Sequence, residues 1–185
     1  EAPTRVQVTM EVTGTMPPGT EIGAALAALA ARRPAVIGIN CATGPAEMSE
    51  HLRYLSQHAR MPIAVLPNAG MPSVVDGAMH YDLTPEQLAD YQRRFVTEFG
   101  VQVVGGCCGT TVDHIAAVVE AVKDLTPKPR TPEHVDGATS IYSFTPFEQD
   151  LTYLSIGERT NANGSRRFRE AMLAGDWDTC VAMAR

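Results

Sequence analysis

No apolar run in this 185-residue chain approaches the roughly 20 residues that a membrane span requires, so no membrane partner is expected. The chain opens on EAPTRVQVTM, which lacks the basic, apolar and small-residue zones of a secretory leader. Charge is sparse, at 19% against about a quarter in soluble domains. With 15 basic and 21 acidic residues the formal net charge is -6, and nothing in that balance points to nucleic acid. Cysteine is scarce too: four residues, two of them adjacent, do not make a secreted disulfide framework. Such thiols are expected to stay reduced in the cytoplasm and to serve as metal ligands or catalytic groups. Finally, no glycine-rich phosphate loop follows the first strand-like segment, which removes the usual mark of a doubly wound nucleotide binder.

What remains is a row of strand–helix units, with 44% hydrophobic residues to build a core. Residues 6–13, VQVTMEVT, alternate: Val6, Val8, Met10 and Val12 share one face of a predicted strand, and Gln7, Thr9, Glu11 and Thr13 the other. EIGAALAALAAR follows as a helix, with Thr20 as its cap. AVIGINC reads as a buried strand, and PAEMSEHLRYLSQHA as a helix with Pro45 in its first turn. PIAVLPNAG is a third strand. TPEQLADYQRRFVTEFG is a helix with Thr84 and Gln87 as a capping box and Gly100 as its stop. VQVVGGCC is the fourth strand and TVDHIAAVVEAVKDL the fourth helix. Alternation of this kind means a parallel sheet covered by helices. Chemistry-bearing residues at the strand ends (Glu11, Cys41, Asn68, Cys107 and Cys108) suit a (β/α)8 barrel, of which four units are half. The stretch 126–150 contains TPKPRTPEHVDGATS, lacks periodicity and reads as an extended linker. Residues 151–185 begin a new strand and helix, as the first unit of a second domain.

The stretch VVGGCCGTT, 103–111, sets two thiols side by side among glycines. Neighbouring side chains on a strand point to opposite faces. Both sulfurs can reach one target only if the strand breaks, and Gly105, Gly106 and Gly109 permit a break. A third sulfur, Cys41, ends the second strand. Three thiolates with an open fourth position form a soft tetrahedral site suited to Zn2+. Cys41 reads equally well as a small buried hydrophobe, and a strained Cys107–Cys108 disulfide stays open. Cys180 reads as packing in the last helix. His114, in a first helical turn, reads as a partly exposed helix residue rather than a ligand. Asn68 reads as a turn former or as a carboxamide near the metal or substrate. Glu11 faces solvent, or else faces inward and needs a cation such as a substrate ammonium.

GINCATGP, LPNAG and VVGGCCGTT, in this order after these strands, resemble the homocysteine-binding domain of the cobalamin-dependent methionine synthases and, more widely, the homocysteine S-methyltransferase family. LSIGERTNANGSRRF resembles the opening of the pterin-binding domain of the same synthases. The resemblance implies two (β/α)8 barrels: 1–125 as the C-terminal half of the first, 126–150 as a linker, and 151–185 as the start of the second. It implies a catalytic zinc on Cys41, Cys107 and Cys108, a homocysteine pocket with Glu11, Asn40 and Asn68, and a pterin pocket with Glu158 and Asn161. It further implies methyl transfer to homocysteine from methylcobalamin, which methyltetrahydrofolate regenerates, on a cobalamin-binding module outside this chain. On that reading the chain is a fragment, inactive by itself. Two rivals stand beside it. One is a cobalamin-independent homocysteine methyltransferase, against which residues 152–168 argue. The other is a non-catalytic half-barrel.

Overall fold

The computed structural model describes residues 3–150 and 160–184 and divides into two units, Glu1–Phe147 and Glu148–Arg185. In chain order the first unit carries β1 (Arg5–Val8), α1 (Ile22–Ala30), β2 (Val36–Asn40), α2 (Pro45–His58), β3 (Ile63–Leu66), β4 (Pro72–Val75), β5 (Ala78–Tyr81), α3 (Pro85–Phe99), β6 (Val103–Val104), α4 (Val112–Val122), β7 (Gly137–Thr139) and β8 (Phe144–Pro146). The second unit carries α5 (Arg166–Ala174) and α6 (Trp177–Ala184). No helix among the described residues is long and apolar enough to cross a membrane.

The main sheet is parallel, in the order β1-β2-β3-β6, so spatial order follows chain order and no switch point occurs. Its strands are short and aliphatic, and β3 is buried over Ile63–Val65, as expected where a parallel strand is covered on both faces. Ile37, Ile39, Ile63 and Val65 pack with Met48, Leu52 and Leu55 of α2 and with Phe95 and Phe99 of α3. Each such side chain contributes about 1.5–3 kcal/mol on leaving water.

The caps of α3 follow the sequence. Thr84 accepts from the Gln87 N–H, the Gln87 side chain accepts from the Thr84 N–H, and Gly100 closes the helix in the left-handed region at φ 66°. At α1 the cap position falls on Glu21, not Thr20. The first strand ends at Val8, and Val12 is 67% exposed rather than facing the core. There the chain turns back on itself instead, with the Glu11 N–H bonded to the Thr15 carbonyl and the Gly14 N–H to the Glu11 carbonyl.

Two hairpins interrupt the strand–helix row. β4 and β5 pair antiparallel around Asp76 and Gly77, whose φ values of 50° and 78° are those that an Asp-Gly hairpin turn needs. β7 and β8 pair antiparallel within the proline-rich segment. That segment is not a free spacer up to Phe147. Arg130 donates to the Ala59 carbonyl at 2.7 Å and to the Met61 carbonyl at 2.8 Å, a cation on the C-terminal end of α2. The Glu133 N–H bonds the Gln57 carbonyl, and the Glu21 N–H bonds the Tyr142 carbonyl.

In the second unit, Ser165 caps α5 by accepting from the Phe168 N–H, and Gly175 ends it at φ 69°. Asp176 accepts from the backbone and hydroxyl of Thr179 at the start of α6. The strand expected over LTYLSIG, and Glu158 with it, lies outside the described residues.

Candidate metal centre

In a parallel sheet all C-terminal strand ends share one rim. The segments after β2, β3 and β6 therefore meet there and bring Cys41, Asn68 and the Cys107–Cys108 pair together. β2 and β6 flank β3, so their ends stand about 9.5 Å apart at ordinary strand spacing. The sulfurs are far closer. Cys41 Sγ lies 3.6 Å from Cys108 Sγ, Cys107 Sγ lies 3.9 Å from Cys108 Sγ, and all three fall within 4.8 Å of one another.

Both loops achieve this by leaning over the end of β3. The Cys41 N–H bonds the Leu66 carbonyl, and the Cys107 N–H bonds the Pro67 carbonyl at 2.7 Å. The Cys108 N–H donates to Asn68 Oδ1 at 3.1 Å, and the Asn68 N–H donates to the Thr43 carbonyl. Asn68 is thus a buried tie between the two cysteine loops, with 2% of its surface exposed.

The two loops solve the backbone problem differently. β6 keeps its ladder only through Val104; the chain then turns, with the Thr110 N–H and hydroxyl both on the Cys107 carbonyl. Gly109 sits at φ 75°, and a Cβ there would stand 2.3 Å from the Tyr81 ring, so both conformation and space demand glycine. The other loop has no glycine at its turn: Cys41 and Ala42 take φ values of 60° and 58°, the left-handed region that side chains disfavour.

A zinc ion held at about 2.3 Å by tetrahedral thiolates requires sulfurs about 3.8 Å apart. The separations of 3.6 and 3.9 Å bracket that edge length and the third pair lies within 4.8 Å, so the three side chains fit the ion. They are too far apart for a disulfide, and all four cysteines are free thiols. Without a cation the cluster resists full ionisation. Burial, then the neighbouring Cys41 and Cys108 sulfurs, push the Cys107 thiol up to about 11. At Cys41 burial also opposes ionisation, but the Ala42 N–H and the two sulfurs outweigh it and lower the thiol. A divalent ion removes this conflict by holding every ligand as a thiolate.

Tyr81, at the end of β5, is the neighbour that the sequence reading omits. Its ring packs on Gly109, and desolvation, then Cys108, push its phenol up. The signal that could have found it is the Asp-Gly turn, which places β5 beside the thiol rim. Asn40 is half-buried at the end of β2. Glu11 is exposed in the turn after β1. His114 is no ligand: Nδ1 accepts from the Thr111 N–H, so Nε2 carries the proton and donates to the Leu83 carbonyl at 2.8 Å. It is also buried, at 8% exposure, rather than partly exposed. Cys180 is buried in α6. In the second unit, Asn161 is exposed and its Oδ1 accepts from the Asn163 N–H. A cavity of about 600 Å³ lies away from this chemistry, lined by α1, α2 and residues 133–144.

Over 183 residues the chain is 51% identical to "Methionine synthase" of Mycobacterium tuberculosis (strain ATCC 25618 / H37Rv), which takes in 99% of this chain and 15% of that protein. Over 188 residues it is 52% identical to "Methionine synthase" of Mycobacterium leprae (strain TN), 99% of this chain and 16% of that protein. The chain thus spans about one-sixth of the length of the curated relatives it matches. Residues 1–122 match the family described as "Homocysteine S-methyltransferase", two-thirds of the chain, and the chain belongs to that family.

Proposed function

We propose that this chain is the part of a methionine synthase that presents homocysteine to a methyl donor. The observation that carries the reading is the convergence of Cys41, Cys107 and Cys108 at separations suited to zinc. On this reading residues 1–125 form the second half of a (β/α)8 barrel, a view supported by four parallel strands in chain order. Residues 151–185 open a pterin-binding barrel, with Glu158 and Asn161 in its pocket.

Cys41, Cys107 and Cys108 would hold the ion and leave its fourth position to the substrate sulfur. Zinc, when bound, would supply the Lewis acidity that keeps the homocysteine sulfur deprotonated near neutral pH. The three cysteine thiolates would outweigh the charge of a divalent ion by one, an excess that would favour an electron-rich substrate sulfur. Asn68 fixes the Cys108 backbone and so the direction of its sulfur. Asn40 and Asn68 would line the amino-acid end of the pocket. Glu11 would pair with the substrate ammonium. The methyl group would come from methylcobalamin on another module of the same polypeptide, regenerated from methyltetrahydrofolate. The reduced thiols fit a cytoplasmic protein.

The half-reactions test this in the full-length protein, because each changes the cobalamin spectrum. Cys108→Ala should abolish methyl transfer from methylcobalamin to homocysteine and spare transfer from methyltetrahydrofolate to cob(I)alamin. Cys180→Ser should leave both intact. Equal slowing of both half-reactions by Cys108→Ala would contradict the reading.

A further inference from the structure

We infer that Gln92 is a positioning residue for the thiol centre, acting through the carbonyl of Gly105; the inference rests on the metal reading above. Gln92 lies in α3 and is fully buried, an unusual place for a carboxamide. Its Nε2 donates to the Gly105 carbonyl at 2.7 Å. Its Oε1 is buried and has no hydrogen-bond partner among the described residues.

The location explains the choice of residue. β6 pairs with β3 only at Val103 and Val104, so Gly105 is the first residue to leave the ladder. Had the strand run on, the Cys107 and Cys108 side chains would point to opposite faces. The departure is instead held by bonds from outside the ladder. Gln92 takes the Gly105 carbonyl, the Pro67 carbonyl takes the Cys107 N–H, and Asn68 takes the Cys108 N–H. Of these, only the Gln92 bond comes from the helix layer, and it fixes where the turn begins.

Gln92 is also an unfavourable residue for stability alone. A buried acceptor without a donor is a standing penalty. Methionine has nearly the same length and leaves no orphan atom. Gly105 is only half-buried, so its carbonyl can turn to water if the carboxamide is removed. Stability and metal affinity should therefore respond to Gln92→Met in opposite ways.

The test uses the full-length protein, with zinc as the probe. Retained zinc is measured by atomic emission against a graded series of chelator, and thermal unfolding is followed after metal removal. Gln92→Met should lower zinc affinity by about five- to tenfold, the factor that corresponds to one hydrogen bond's net strength. The unfolding temperature of the metal-free protein should hold or rise. Gln92→Leu removes both the donor and the unpaired acceptor, and should lose at least as much affinity; it serves if the methionine variant does not fold. Gln102 supplies the control. Its Oε1 accepts from the Ile63 N–H near the other end of the sheet, so Gln102→Met should lower the unfolding temperature and leave zinc affinity unchanged. Unchanged affinity in both Gln92 variants, or an equal loss in Gln102→Met, would overturn the inference. A wild-type protein that holds no zinc would overturn the metal reading and this inference together.

Discussion

The loop after β2 and the loop after β6 deliver sulfur to one point by opposite means. The β6 loop uses glycine: Gly109 takes the left-handed conformation without cost and leaves room for the Tyr81 ring. The β2 loop uses strain: Cys41 and Ala42 both take left-handed angles with side chains attached, at about 1–2 kcal/mol each. Strain of that size persists only where surrounding bonds over-determine it. Here they are the Cys41 N–H on Leu66, the Thr43 N–H on the Cys41 carbonyl, and the Asn68 tie to Thr43. The lesson is that one sulfur-bearing turn is encoded in its own residues, while the other is imposed by its neighbours.

Three substitutions test that contrast. The largest effect is expected at Gly109→Val, where a β-branched residue meets both a φ of 75° and the Tyr81 ring. It should cost about 3 kcal/mol or more in chemical denaturation and remove bound zinc. An effect within experimental error would mean that the turn is not fixed by glycine. Next comes Asn68→Ala, which cuts the tie between the loops and leaves the Cys108 N–H without its acceptor. A loss of about 1–3 kcal/mol is expected, with weaker zinc retention. If stability fell and zinc retention did not, Asn68 would be a packing residue alone. The smallest effect is Ala42→Gly, which relieves strain in the imposed loop. It should stabilise the protein by up to about 1 kcal/mol. A destabilised Ala42→Gly would show that the loop is not strained as described.

The same contrast governs what could be read from the sequence. Helix α3 was legible because its signals are local: Thr84, Pro85, Gln87 and Gly100 each act within one turn of themselves. The glycines around Cys107 and Cys108 announced a break in the strand, and β6 does end at Val104. Asp76-Gly77 is an equally local hairpin signal, yet a strand–helix reading passes over it and so misses Tyr81. Other features had no local signal at all. Nothing in GINCATGP marks Cys41 and Ala42 as left-handed, because their conformation is set by hydrogen bonds from Leu66 and Asn68 across the rim. Arg130 could not be placed either. Its proline-rich surroundings suggest a free spacer, whereas its guanidinium is held by carbonyls at the end of a helix some seventy residues earlier. His114 reads as a partly exposed helix residue, whereas it is buried with the Leu83 carbonyl as its partner, a contact that no local signal announces.

The central claim is that three cysteine sulfurs meet at one ion and leave a place for a fourth. X-ray absorption at the zinc edge of the full-length protein tests it most directly. Three sulfur neighbours at about 2.3 Å are expected, rising to four when homocysteine is added. Fewer than three sulfurs in the resting protein, or a sulfur count that homocysteine leaves unchanged, would contradict it.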